Sequence, residues 1–336
     1  VDEVGTALND ISEITVNAAL RVARARVVQA DAGQELTRMC VVAMGRFGGA
    51  ELTYASDVDV MYVHDPLPGV ETASATEQAM AIVRELARLL EVPATEPPLK
   101  VDTDLRPEGR NGPMVRTLDS YTAYYERWSQ VWESQALLRA RPFAGDRELM
   151  DGFLGLIDPL RYPEGGVGDG AVLEIRTLKA RMEAERLPRG ADPTLHTKLG
   201  RGGLADVEWV VQLLQLRFAH ECPGLRTTRT MRALDVAVSH GLLTAEDGAV
   251  LSHAWQLASR VRGMVMLVRG RGGDSLPTDL RVRGALAEAM GFGERSDEDG
   301  AEYGREGPAE QLTEEYLRST RRARAVMERI FYGGQV

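Results

Sequence analysis

A chain of 336 residues, 44% apolar and 27% charged, is long enough for two domains of ordinary size, and no apolar run approaches the roughly 18 to 20 residues of a membrane span. Forty Lys and Arg against fifty Asp and Glu leave a net charge of −10, which speaks against a broad nucleic-acid-binding surface, because such a surface works by counterion release from clustered basic groups. The two cysteines, Cys40 and Cys222, and the five scattered histidines show neither disulfide nor zinc spacing, so a reducing cytoplasm is expected.

The opening Val1-Asp2-Glu3-Val4 carries no initiator Met and no basic-then-apolar leader, as in a piece of something larger. Apolar positions at helical spacing predict a helix over 11–30. Met39 to Met44 is an apolar run of strand formers ending at Gly45, and predicts a buried strand. Gly48-Gly49 breaks the chain, and Ala50-Glu51-Leu52 opens a short helix. Val58 to Val63 predicts a second strand, ended by His64-Asp65-Pro66. Met80, Val83, Leu86, Leu89 and Leu90 mark one face of an amphipathic helix over 76–90, stopped by Pro93, Pro97 and Pro98.

Alternation from Leu99 to Arg106 predicts a third strand, and Asp119 caps a long helix running to about Arg141. Prolines and glycines over 146–170 place a domain boundary there, dividing the chain into 1–150 and 151–336. Helical periodicity then recurs over 171–186, 205–219, 228–240, 245–268, 278–290 and 311–332. A Gly-rich loop over 187–204 interrupts it, and so does a Gly-rich, acidic stretch over 292–309 whose composition is that of a disordered segment. The fold class is α+β, a small sheet with flanking helices followed by an all-α half.

The chemistry concentrates around Asp57-Val58-Asp59. Residues two apart in a strand share a face, so Asp57 and Asp59 project together while Val58 and Val60 turn to the core. Two adjacent carboxylates repel, and a divalent cation with oxygen ligands relieves the repulsion. Asp102 and Asp104, on the next strand-like run, compete to be the third carboxylate of a two-metal site. Gly48 and Gly49 let backbone N–H groups approach phosphates, or form an ordinary tight turn. Ser56 offers a hydroxyl beside the first aspartate.

Other residues divide between two roles. Lys198 either reaches a phosphate or is a mobile surface lysine. Asp206 and Glu208, opening the helix over 205–219, serve as cap and dipole charges or contact metal, nucleotide or target. Arg106 binds phosphate or pairs with a carboxylate. Trp128 and Trp132, i and i+4 on one helix, read as a core stripe rather than an adenine-stacking pair. His64 reads as structural. The Arg21, Arg24, Arg26 and Arg318, Arg321, Arg322, Arg324 groups read as solvated helix faces.

Four segments, in order, resemble the glutamine synthetase adenylyltransferases of the DNA polymerase β-like superfamily. They are GRFGGAELTYASDVDVMYVHD (45–65), VDTDLRPEGRNGPMV (101–115), WESQALLRARPFAGD (132–146) and KLGRGGLADVEWVVQLLQLRFAH (198–220). The resemblance implies a polymerase β-like nucleotidyltransferase domain with a small mixed sheet, then a helical-bundle domain. It implies transfer of AMP from ATP to a tyrosine hydroxyl of glutamine synthetase. The metal would be Mg²⁺, with Mn²⁺ an alternative, held by Asp57, Asp59 and Asp102. The aspartate of V-D-x-x-L-R-P carries over to Asp102 rather than Asp104, where relatives often have a basic residue. Gly48, Gly49, Ser56 and Lys198 would surround the triphosphate. The implied partners are glutamine synthetase and a PII-type signal protein, with neither nucleic acid nor membrane. WESQALLRAR and the finish at Val336 resemble the adenylylating half of a tandem enzyme. The same carboxylates serve the reverse reaction, phosphorolytic removal of AMP, and the intact aspartate set speaks against a silent regulatory module.

Overall fold

The computed structural model describes residues 2–54, 56–92, 98–293 and 307–333. Helix α1 (Asp2–Ala30) is longer than the periodicity over 11–30 predicts. It leads into β1 (Thr37–Ala43), a four-residue turn of helix α2 (Gly45–Gly48), β2 (Val58–Pro66) and α3 (Thr72–Leu90). Then come β3 (Val101–Asp102), β4 (Val115–Thr117), α4 (Leu118–Trp128), α5 (Val131–Leu137), β5 (Arg141–Gly145) and α6 (Arg147–Arg161).

The sheet is mixed, in the order β3-β2-β1-β5, with β4 also pairing β2. β2 runs antiparallel to β1 and parallel to β3 and β4. Period-2 alternation sends Met39, Val41, Val58, Val60 and Tyr62 under α1 and α3. Cys40, Val42, Met61 and Val63 go the other way, against Tyr121, Tyr125, Leu149, Phe153 and Ile157 of α4 and α6. Both faces of the central strands are therefore buried, which is why β1 reads as a continuous apolar run.

Several predicted elements differ. The short helix precedes Ala50 instead of starting there, because Ala50 takes a left-handed φ of 53° that ends the turn. The third strand is two residues, not eight. The long helix from Asp119 is two helices, broken at Ser129-Gln130, where Gln130 and Glu133 form a capping box that starts α5. Its expected end near Arg141 is β5, an edge strand on β1. Trp128 and Trp132 thus lie on different helices, and Trp128 is 65% exposed, so no core stripe exists. The Pro- and Gly-rich stretch over 146–170 holds α6. Asp146 caps it through Leu149 N–H, and Pro159 sits in its last turn.

The remaining helices follow the predicted order: α7 (Asp169–Glu185), α8 (Leu204–Phe218), α9 (Thr230–Ser239), α10 (Ala245–Arg269), α11 (Leu280–Ala289) and α12 (Pro308–Tyr332). α8 is buried nearly all round, in one core with residues of α7, α9, α10, α11 and α12. Most of the acidic stretch over 292–309 lies outside the described residues. Among the described residues no helix is long and apolar enough to cross a membrane.

The sheet-bearing and helical parts are joined by a buried polar lock. Arg139 Nη1 donates to Glu51 Oε2 at 2.6 Å and Arg139 Nη2 to Thr230 Oγ1 at 2.5 Å. The Glu51 carboxylate also accepts the Thr230 N–H and hydroxyl, so it caps α9 from outside that helix. Gln135 adds a bond to Gln212 at 2.6 Å.

Candidate active site

Asp57 stands exposed just before β2, after a turn in which Ser56 Oγ accepts the Thr53 N–H at 3.0 Å. With Val58 and Val60 in the core, Asp59 emerges on the opposite face. β3 pairs with β2 for two rungs only, Val58 with Val101 and Asp59 with Asp102. Paired residues on adjacent strands project to the same face, so these two carboxylates stand side by side. Burial, then Asp102, push the Asp59 pKa up to about 7; Lys198 opposes them, while Asp57 and Asp104 add to the rise.

β3 ends well short of the alternation over 99–106. Asp102 Oδ1 accepts the Asp104 N–H at 2.7 Å, which turns the chain out of the strand. Asp104 therefore leaves the strand alternation, and its Oδ2 accepts from Arg110 Nε at 2.6 Å. That pairing gives the Asp104 carboxylate a cation partner of its own. Arg106 is buried and donates to the carbonyls of Thr103, Arg110 and Gly112, so its guanidinium holds the loop together. A groove of ≈ 440 Å³ runs along this edge, lined by Asp57, Lys100, Asp102, Thr103, Asp104 and Arg110 among others.

Gly48 and Gly49 donate their N–H groups to Met44 O at 2.7 Å and Gly45 O at 3.2 Å, inside the α2 turn. A Cβ on Gly48 would collide with the Arg139 carbonyl, and one on Gly49 with the Arg139 guanidinium. Both glycines serve close packing under the buried lock. The glycine that touches the carboxylates is Gly45, whose place at the end of an apolar strand run gives no signal of that contact. Its φ is 52°, and a Cβ there would fall on the Asp59 carboxylate.

Lys198 is brought to the site from the loop before α8, and its field acts on both Asp59 and Glu208. The two acids of the first α8 turn separate. Asp206 is 1% exposed and structural, accepting from Lys179 Nζ at 2.5 Å, Gly202 N at 2.7 Å and Arg324 Nη1 at 3.1 Å. Glu208 faces the site side, 3.5 Å from Arg46 and 4.0 Å from Arg139. Burial pushes its pKa up, but Arg46, Arg139 and Lys198 outweigh burial and leave it lowered. His64 lies deep under the sheet, its Nδ1 3.1 Å from Thr37 Oγ1, in a structural setting.

Among the described residues no three carboxylate, imidazole or thiol side chains close into a finished ligand cage. One oxygen of Asp102 is engaged by the Asp104 N–H. The donor chemistry nevertheless fits a hard cation: the set is oxygen-only, and burial, then the neighbouring Asp102, keep Asp59 from ionising freely. A carboxylate set at a sheet edge, with a lysine from the loop before α8 near enough to act on it, is an arrangement suited to a cation-bound phosphate substrate.

Residues 1–155 match the family model of glutamate-ammonia ligase adenylyltransferase, and residues 176–331 match that of GlnD PII-uridylyltransferase. A bifunctional glutamine synthetase adenylyltransferase/adenylyl-removing enzyme of Streptomyces avermitilis is 57% identical over 334 residues, covering 99% of this chain and 32% of the relative. Proteins of the same description from Streptomyces coelicolor and Mycobacterium tuberculosis are 56% and 49% identical, covering 99% and 98% of this chain and 32% of each relative. The chain belongs to the glutamine synthetase adenylyltransferase family. It spans about a third of the length of these relatives.

Proposed function

We propose that this chain transfers AMP from ATP to a tyrosine hydroxyl of glutamine synthetase and releases pyrophosphate. The observation that carries the reading is the registration of Asp59 against Asp102, with Lys198 near enough to act on Asp59. Asp57, Asp59 and Asp102 would hold Mg²⁺, or Mn²⁺, which supplies Lewis acidity at the attacking and leaving oxygens. Asp102 takes the tyrosine proton on the attacking side. Lys198 neutralises charge on the triphosphate, Ser56 donates its hydroxyl beside Asp57, and the Gly45–Gly49 turn forms the wall against which the phosphates lie. Such chemistry is mostly positioning and charge neutralisation.

In this reading the sheet-bearing part is the catalytic unit, and the helical part closes over it and docks the target. The match of residues 176–331 to a PII-uridylyltransferase model supports a PII-type protein as a further partner. Buried, unpaired Cys40 and Cys222 agree with a reducing cytoplasm. A second reading, phosphorolytic removal of AMP, is favoured by the adenylyl-removing activity in the relatives' names and uses the same carboxylates. Transfer of label from α-labelled ATP to glutamine synthetase, beside the Asp59→Asn variant, tests both. Label on a tyrosine, lost in the folded variant, supports adenylylation. An active Asp59→Asn variant sinks the site. Release of labelled ADP from adenylylated glutamine synthetase and phosphate, without forward transfer, selects the second reading.

A further inference from the structure

Behind the carboxylates, the α2 turn and the helical part enclose a second charged group. Arg46, in the α2 turn, lies 5.7 Å over the Trp255 ring of α10. Trp255 and Arg262 are seven apart on α10 and so share a face of that helix. Arg46 and Arg262 are close enough to act on each other: burial, then Glu208 in the opposite sense, then Arg262 govern the lowered Arg46 pKa. Lys198 also acts on Glu208.

These cations are under-compensated. Arg139 is fully engaged by Glu51 and Thr230. Arg46 has one long ion pair, 3.5 Å to Glu208, and its Nη1 is buried without a hydrogen-bond partner. Arg262 Nε donates to Asp274 at 2.7 Å, but its Nη1 is likewise buried and unpartnered. The hydroxyl of Thr197, adjacent to Lys198, is fully buried and also lacks a partner. A buried guanidinium N–H left unpaired keeps its desolvation cost with no hydrogen bond to offset it. Two such groups and an orphaned hydroxyl beside a lysine are what an anion with several acceptor oxygens would satisfy.

We infer that Arg46 and Arg262, with Lys198 and Thr197, form a polyphosphate-binding site that holds the β- and γ-phosphates of the nucleotide and the pyrophosphate product. The assignment to the nucleotide rests on the proposed transfer of AMP; the anion site itself rests on the unpaired donors. The arrangement divides the labour by charge. The acidic edge at Asp57, Asp59 and Asp102 takes the cations, while the basic wall takes the phosphate tail and draws negative charge away from the carboxylates.

Calorimetric titration of the chain with pyrophosphate and, separately, with AMP, both in Mg²⁺, tests this. The wild type is expected to bind pyrophosphate, and Arg46→Met and Arg262→Met each to weaken it at least about tenfold, the loss of one charged hydrogen bond. AMP binding should move less than about twofold. Arg262→Lys, which keeps the charge, reports on the same contact should Arg262→Met misfold, and is expected to fall between wild type and Arg262→Met. Pyrophosphate binding that is absent from the wild type, or unchanged in the folded variants, overturns the inference. Equal loss of AMP and pyrophosphate also overturns it, since the effect is then not on the phosphate tail. A wild type that binds pyrophosphate through both arginines but transfers no AMP refutes the proposed reaction and leaves the anion site standing. A wild type that transfers AMP with pyrophosphate binding indifferent to both substitutions does the reverse.

Discussion

Asp59 and Asp102 face each other across the second and last rung of a two-rung parallel pairing. The strand stops there because Asp102 itself accepts the next-but-one N–H, that of Asp104. The residue that completes the carboxylate pair is therefore also the residue that ends the strand.

Replacing Asp102 should separate stability from function. In Asp102→Asn the amide still accepts the Asp104 N–H, but the charge that raises the Asp59 pKa is gone. Metal-free protein is expected to melt at or above the wild-type temperature, because a like-charge repulsion is removed. The rise in melting temperature caused by Mg²⁺ should shrink, and AMP transfer should fall by roughly 10² or more, on the scale of removing one charge-stabilising group. Thermal melts in chelator and in Mg²⁺ read this directly. A Mg²⁺ effect as large as wild type would count against Asp102 as a ligand.

Arg139 and Glu51 lock the two parts of the chain together out of water. Arg139→Met leaves the Glu51 carboxylate buried, with only Thr230 as partner. The expected cost is about 3 to 5 kcal/mol, the usual penalty for an uncompensated buried charge. The double variant Arg139→Met/Glu51→Gln should recover a large part of it. Urea unfolding of the two singles and the double gives the coupling, and additive losses would mean that the pair is not coupled.

His64 sets an acid limit. Burial pulls its pKa down from 6.5 to about 4, so the folded protein keeps it neutral where the unfolded chain protonates it. Between those values the unfolded state binds more protons, and stability falls as pH drops through the window. The contribution is present above about 6.5 and approaches a loss on the order of 3 kcal/mol near pH 4. His64→Gln, which can still bond Thr37, should flatten the slope between pH 6.5 and 4 relative to wild type. Parallel slopes in chemical denaturation would place the acid sensitivity elsewhere.

Much of this was readable from the residues, for identifiable reasons. β1 and β2 announce themselves because both faces are buried and the apolar run is unbroken. The later helices carry long apolar periods that survive any tertiary context. β3 is shorter than its alternation predicts because Val101-Asp102-Thr103-Asp104 looks extended until the Asp102 side chain captures a backbone N–H. α6 was missed because Pro159 and nearby glycines outweighed a better signal, the Asp146 cap followed by Leu149, Phe153 and Ile157 on one face. The carboxylates of the site are local and were legible. Of its cations, Lys198 was legible from its Gly-rich loop and the resemblance, whereas Arg46 and Arg262 come near each other only through the packing of the helical part against the α2 turn, which no short-range pattern encodes.

Gly45 gives the most discriminating test of the site's geometry. It is the first residue of α2, at φ 52°, with its missing Cβ directed at the Asp59 carboxylate. Gly45→Ala adds the backbone cost of a left-handed residue, roughly 1 to 2 kcal/mol, and also drives a methyl into that carboxylate. Gly69 supplies the control, since its φ is 82° but a Cβ there meets nothing within 4 Å. Both variants should lose comparable stability from the backbone, measured by thermal melting. Only Gly45→Ala should displace Asp59, and so weaken Mg²⁺ binding and AMP transfer by about tenfold or more, since small misplacements of a reacting group carry large rate penalties. Equal activity in the two variants would mean that the Asp59 carboxylate has room to move, and that its close seat against Gly45 is incidental to the chemistry.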